Sequence, residues 1–243
     1  MKKDKGGDLI ITKIIGSISS EKVMELILNA LIEKGVDISL PDKWGGTFLH
    51  HAAGKGMEKI VKFLLARPSN NINSQNSSGE TPLFQAIISG KAEIVKLLLD
   101  KGADISITTS YGTVLHFANS DPELLSILLN HPKCPDINKK NRDGKTALED
   151  VLSDSRFNKE AAQLLIAKGA QVNLKDFQGW TPLHHAVWDE VFHKKRLEAI
   201  KFILEQGAKV DIKNDQGKTP LDFAIEKGRD DLVELMQNYA SKK

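Results

Sequence analysis

His50-His51 and His184-His185 are the first side chains to weigh for chemistry, because imidazole serves both metal binding and proton transfer. Consecutive residues on a helix point about 100° apart, so neither pair converges on one ion. No Cys/His cluster with zinc spacing supplies further ligands, and no metal site is expected. Cys134 lies between Pro132 and Pro135, with His131 three residues earlier. A thiol nucleophile needs an oriented base and a device for the oxyanion, and no signature marks either. Cys134 therefore reads as an incidental surface thiol. The carboxylate pairs Asp189-Glu190 and Asp230-Asp231 are adjacent in sequence, where they suit helix starts. The glycines come one per turn, without a run that cradles phosphate. The basic cluster His193-Lys194-Lys195-Arg196 is short and flanked by Asp189, Glu190 and Glu198, so it reads as a solvated loop. These residues point away from an enzyme, and no cofactor is expected.

A recurring phrase positions most of these side chains. Its fullest form is Gly179-Trp180-Thr181-Pro182-Leu183-His184, with variants beginning at Gly45, Gly79, Gly112, Gly144 and Gly217. The threonines Thr47, Thr81, Thr113, Thr146, Thr181 and Thr219 are spaced by 34, 32, 33, 35 and 38 residues. Self-similarity at such a period means a stacked array, in which each unit buries its apolar side on its neighbours.

Residues 75–107 show how one unit is built. Asn76-Ser77-Ser78-Gly79 has the composition of a tight turn. Thr81 is placed to accept the orphan N–H groups of the following helix, and Pro82 suits its first position. Leu83, Ala86 and Ile87 mark one apolar face at helical spacing. Gly90 interrupts, a second helix carries Ile94, Val95, Leu97, Leu98 and Leu99, and Gly102 ends it as a left-handed cap. Thr146 with Glu149 has the pattern of a capping box. Two helices alone cannot close a core, so units must lean on one another.

The turn, the Thr-Pro-Leu-His phrase, the paired helices and the Gly-Ala-Asp exit resemble the ankyrin repeat over residues 8–240. The resemblance implies an all-α solenoid of about seven helix-turn-helix units with hairpin-like turns on one edge. Its implied organisation is a tail at 1–7, a capping unit at 8–41, and units at 42–74, 75–107, 108–139, 140–174 and 175–212. A C-terminal cap follows at 213–240. Leu9–Ile15 would be a degenerate first helix of the N-terminal cap, and Ser20–Asp37 its second helix and exit. The unit at 175–212 carries an insertion around Asp189–Arg196. Asp150 stands where the family usually has an apolar residue or Ala. In ankyrin-like chains the histidine after Thr braces the turn, which is the implied role of His50, His116 and His184.

In that family the turn residues and the late residues of the first helix line a concave groove. Here those positions hold Lys43, Trp44, Lys55, Ser77, Ser78, Ile88 and Tyr111, then Arg142, Lys145, Phe177, Gln178, Trp180, Trp188, Glu226 and Lys227. All three tryptophans fall in this set, and Trp, Tyr and Arg dominate binding hot spots. The expected function is non-catalytic recognition of a protein or peptide, with Trp44, Tyr111, Trp180 and Trp188 as anchors and Arg142 and Lys145 as polar contacts. A bacterial effector acting on host proteins is an alternative; an enzyme or a nucleic-acid binder on the same scaffold is weaker.

Bulk properties agree with this class. The 34 basic residues nearly cancel the 32 acidic ones, so there is no global pull toward nucleic acid or anionic membrane. No run approaches the ~18 apolar residues of a membrane span. One cysteine excludes an internal disulfide and fits a reducing compartment. A cytoplasmic monomer is expected, although export without a cleaved signal would leave no trace in the sequence.

Overall fold

The computed structural model describes residues 17–68, 70–118, 121–154, 157–188 and 193–241, with residues 193–195 described by backbone alone. The described residues form thirteen helices. They fall into two compact units, one ending at Ser110 and the other beginning at Tyr111. Leu9–Ile15 and the first residues of the insertion, 189–192, lie outside the described residues.

The first unit contains α1 (Glu21–Glu33), α2 (Phe48–Lys55), α3 (Glu58–Leu65), α4 (Pro82–Ile88) and α5 (Ala92–Asp100). Helices α2/α3 and α4/α5 pair; α2 then lies on α4, α3 on α5, and α1 on α3. Composition explains the stacking. The first helices bury small Ala52, Ala53 and Ala86 beside Leu49, Leu83 and Phe84, so their axes approach closely. The second helices bury Ile60, Val61 and Leu64, then Ile94, Val95 and Leu98. Each such aliphatic side chain contributes roughly 1.5–3 kcal/mol on burial. At Gly56, φ is +74° and the following Met57 N–H donates to Ala52 O at 3.0 Å, which closes α2 and turns the chain into α3.

The second unit contains α6 (Val114–Phe117), α7 (Pro122–Leu129), α8 (Ala147–Ser153), α9 (Lys159–Ala167), α10 (Pro182–Trp188), α11 (His193–Glu205), α12 (Pro220–Glu226) and α13 (Asp230–Ala240). First helices again stack on first helices (α6 on α8, α8 on α10, α10 on α12), and α7 packs on α9 and α11 on α13. Asp121 and Asn158 cap the second helices, accepting from Leu124 N and Ala161 N, each at 3.1 Å.

Two local expectations change. Thr81 makes no side-chain cap bond, and its Oγ1 is buried without a partner. Phe84 stands in its unit where other units place a histidine or a carboxylate that engages the threonine. The basic cluster is not a solvated loop either, for α11 already begins at His193 and Arg196 is buried. The Arg196 guanidinium donates to Leu152 O at 3.0 Å and Ser153 O at 3.4 Å. It thus satisfies carbonyls at the end of α8, where a cation also suits the helix dipole.

Candidate functional site

An aspartate or asparagine three residues before the turn glycine builds each tip. Asp42 Oδ1 accepts from Trp44 N and Gly46 N, both at 2.8 Å. Asn76, Asn141, Asp176 and Asn214 make the same two bonds, to the residues two and four further on. These side chains replace ladder partners the tight turn lacks. The sequence signal for these tips is the Asx–Gly spacing at 42/45, 76/79, 141/144, 176/179 and 214/217; Thr109 breaks it before Gly112. Adjacent tips are also tied by backbone, Ser77 N to Trp44 O at 2.8 Å and Asp215 N to Gln178 O at 3.2 Å.

The histidines brace the tips from behind. Thr47 N donates to His50 Nδ1 at 3.1 Å, which leaves the proton on Nε2, 3.0 Å from Glu80 O in the next turn. His116 repeats this with Thr113 N and Lys145 O, and His184 with Thr181 N and Lys218 O. Burial, the largest cause, holds all three imidazoles below their usual pKa, which keeps them neutral for this role. The second histidine of each pair does something different. His51 Nε2 lies 2.9 Å from Asp42 Oδ2, and His185 Nε2 2.8 Å from Asp176 Oδ2. Each member of a pair therefore faces its own partner, and the described residues hold no group of three His, Cys, Asp or Glu side chains that could share a metal ion.

Glu149 occupies the bracing position in its unit. Its Oε2 accepts from Thr146 N at 2.7 Å, while its Oε1 is buried without a partner. Burial pushes this carboxyl up to about 7, the two Thr146 bonds oppose the shift, and nearby Asp176 adds to it. Burial also pushes Asp150 up to about 6.

Several of the residues singled out in the sequence are exposed, as are Val23, Leu26, Leu40 and Ile225. Trp44 is 68% exposed, Phe177 65%, Trp188 49% and Tyr111 45%, and Ile88 at the end of α4 is 48%. Cations lie over these rings: Lys43 Nζ is 5.2 Å from the Trp44 centroid and Lys140 Nζ 5.5 Å from that of Phe177. Arg142 Cζ and Lys227 Nζ each stand 4.1 Å from the centroids of Tyr111 and Trp188. Trp180 is half-buried, in a cluster with Phe223 (5.0 Å), His185 (5.1 Å) and Trp188 (5.7 Å). Phe223, buried at its centre, is the residue sequence reasoning missed; it stands in the same helical position as His51 and His185.

The remaining expected contacts divide between surface and fold. Ser77, Ser78, Gln178 and Glu226 are exposed, and Glu226 pairs with Lys218 at 2.7 Å. Lys55 is half-buried with its Nζ donating to Ile18 O at 2.9 Å, so it ties α2 to the chain before α1. Lys145 is half-buried beside Asp150 and Glu149, whose charges it favours. Burial pushes the Cys134 thiol up, away from the thiolate that nucleophilic attack needs. Among the described residues no helix is long and apolar enough to cross a membrane.

Comparison with known proteins agrees with this geometry. The family model for ankyrin repeats matches residues 18–109, 114–214 and 158–243. The chain is 34% identical over 162 residues to the chicken (Gallus gallus) nuclear factor NF-kappa-B p105 subunit, covering 63% of this chain but only 16% of that protein's length. Among solved structures, the ankyrin repeat protein EF0377 superposes with a TM-score of 0.70 at 29% identity, over 79% of this chain and 96% of the other. A chain from the complex of a Bdellovibrio bacteriovorus predatory endopeptidase with an immunity protein follows at 0.67 and 25%, over 82% of this chain and 99% of the other. The helix pairs, the bracing threonine and histidine and these matches together place the chain in the ankyrin-repeat family.

Proposed function

We propose that the chain is a non-catalytic recognition module, a cytoplasmic scaffold that binds a partner protein along the turn tips and the C-terminal ends of its first helices. One observation carries this reading. All four exposed large aromatic residues among the described residues, Trp44 in the first unit and Tyr111, Phe177 and Trp188 in the second, stand at a turn tip or a first-helix end of their own repeat. Keeping rings in water forgoes roughly 25 cal/mol per Å² of apolar area, and large rings at a surface are typical anchors of binding hot spots. The fold does not require them there. The stacked helices are already filled by aliphatic residues, alanines and buried phenylalanines, and the tips are already tied by Asx and backbone bonds. Resemblance to a chain from an endopeptidase–immunity protein complex is in keeping with a binding role.

The test compares protein captured from lysate by the wild type and by Trp44→Ala/Phe177→Ala/Trp188→Ala. Both Trp180 and Trp188 pack on Phe223, at 5.0 and 5.1 Å. Trp180 is left intact because it is the more buried of the two and also meets His184 and His185. The exposed rings are chosen so that the variant keeps its helical circular dichroism. A specifically captured partner is expected to bind the variant at least about tenfold more weakly, as loss of hot-spot residues produces. Undiminished capture of every partner by the folded variant would reject the aromatic edge as the binding site.

A further inference from the structure

The cations laid over the exposed rings say what kind of partner the second unit is built for. In that unit the turn tips at 139–145, 175–180 and 213–218 carry Lys139, Lys140, Arg142, Lys145, Lys175, Lys213 and Lys218 against Asp143, Asp176 and Asp215. Asp176 is buried and bonded to His185, Lys218 pairs with Glu226 at 2.7 Å and Lys145 lies beside Glu149 and Asp150, so Asp143 and Asp215 are left to face the other five cations. The whole chain, by contrast, is nearly balanced at +2. Positive charge is therefore gathered on tips that carry or adjoin the exposed rings.

Pairing across neighbouring turns gives this charge a pattern. Arg142 reaches back over Tyr111, Lys140 lies over Phe177, and Lys227 from the end of α12 lies over Trp188. Each pair presents an apolar surface and a positive head side by side. A cation held against a ring keeps its full charge, because the ring quadrupole does not neutralise it. Crowded like charges are relieved by carboxylates from outside, and electrostatic complementarity of this kind selects partners and speeds encounter.

We infer that the turn tips of residues 111–243 bind an acidic, extended segment of a partner protein, in which Asp or Glu alternates with apolar side chains. This rests on the recognition reading above and specifies its partner. The rings argue against single-stranded nucleic acid, whose bases need open ring faces for stacking. Here the protein's own cations lie over those faces. The Phe177 ring also lies against Gly144, where an added Cβ would come within 2.9 Å of it.

Fluorescence anisotropy with the full chain tests the inference. Three labelled probes are compared: a dodecapeptide alternating Glu with apolar residues, the same peptide with Gln for every Glu, and oligothymidylate. The acidic peptide is expected to bind more tightly than the Gln peptide by at least about tenfold, and to weaken as salt is raised. Lys140→Gln/Arg142→Gln should remove most of that preference while leaving the circular dichroism unchanged. Equal binding of the Glu and Gln peptides would overturn the inference, as would tighter binding of oligothymidylate. If the acidic peptide fails while Phe177→Ala/Trp188→Ala still abolishes capture of a lysate protein, recognition stands and its acidic character is wrong. Failure of both removes the recognition reading itself.

Discussion

Alanine at Gly144 is expected to destabilise the second unit by about 2–4 kcal/mol, in the upper range for a single substitution. Two costs combine. Gly144 has φ +80°, and an L-residue in that region pays about 1–2 kcal/mol. An added Cβ would also stand 2.6 Å from Phe177 N and 2.9 Å from two ring carbons of Phe177. The ring has room to tilt, but the backbone nitrogen belongs to the neighbouring turn, which the bonds of Gln178 N and Trp180 N to Asp176 Oδ1 hold in shape. Gly217→Ala is the matched control. Its φ is +77°, yet nothing lies within 4 Å of the added carbon. Urea denaturation should show Gly144→Ala less stable than Gly217→Ala by at least about 1 kcal/mol, the part due to contact rather than conformation. Equal effects would mean that adjacent tips are not pressed together as the structure has them.

Glutamine at position 149 is expected to stabilise the protein at pH 8, by an amount that disappears on acidification. Burial holds the Glu149 carboxyl at about 7 against an ordinary 4.5. The folded state then binds more protons than the unfolded state between those values. By linkage, stability falls as pH rises through that window and levels off above about 7. The full shift corresponds to at most about 3 kcal/mol, and about 1–3 is expected. Gln keeps an oxygen for Thr146 N and offers an N–H where the unpartnered Oε1 stands. The gain of Glu149→Gln over wild type should be largest at pH 8 and near zero by pH 4.5, read from urea midpoints. The bracing histidines titrate in the opposite sense. Their lowered pKa values add stability that is present above the ordinary 6.5 and lost as pH falls through the folded values. Taking the difference between variant and wild type cancels that common contribution. A gain that persists unchanged at pH 4.5 would show that Glu149 is not held protonated by the fold.

The repeat made most of the fold legible, because its signals are local. Gly, Thr and Pro fix the turn and the helix start within four residues, and the apolar spacing fixes which face is buried. The histidine brace was equally readable, since His50, His116 and His184 each engage a threonine three residues away. Contacts between distant repeats of one unit were less so. The seat of Arg196 on the carbonyls of Leu152 and Ser153 spans more than forty residues. It depends on where α11 begins after an insertion, which breaks the period. The division of the expected site follows the same logic. Exposure of Trp44, Phe177 and Trp188 follows from their places on the turns and helix ends, which the repeat fixes. The half-burial of Trp180 depends on Phe223, more than forty residues on, and Lys55 is engaged by Ile18 of the preceding unit. The Asp42–His51 and Asp176–His185 pairs were within reach, since both lie at a spacing of nine residues.

Amide hydrogen exchange of the chain, free and saturated with a captured partner protein, tests most directly where recognition takes place. Slowed exchange is predicted at the turn tips around Trp44, Arg142 and Phe177 and at the ends of α4, α10 and α12, with little change along α3, α5 and α9. Protection confined to those second helices, with the tips exchanging as freely as before, would contradict it.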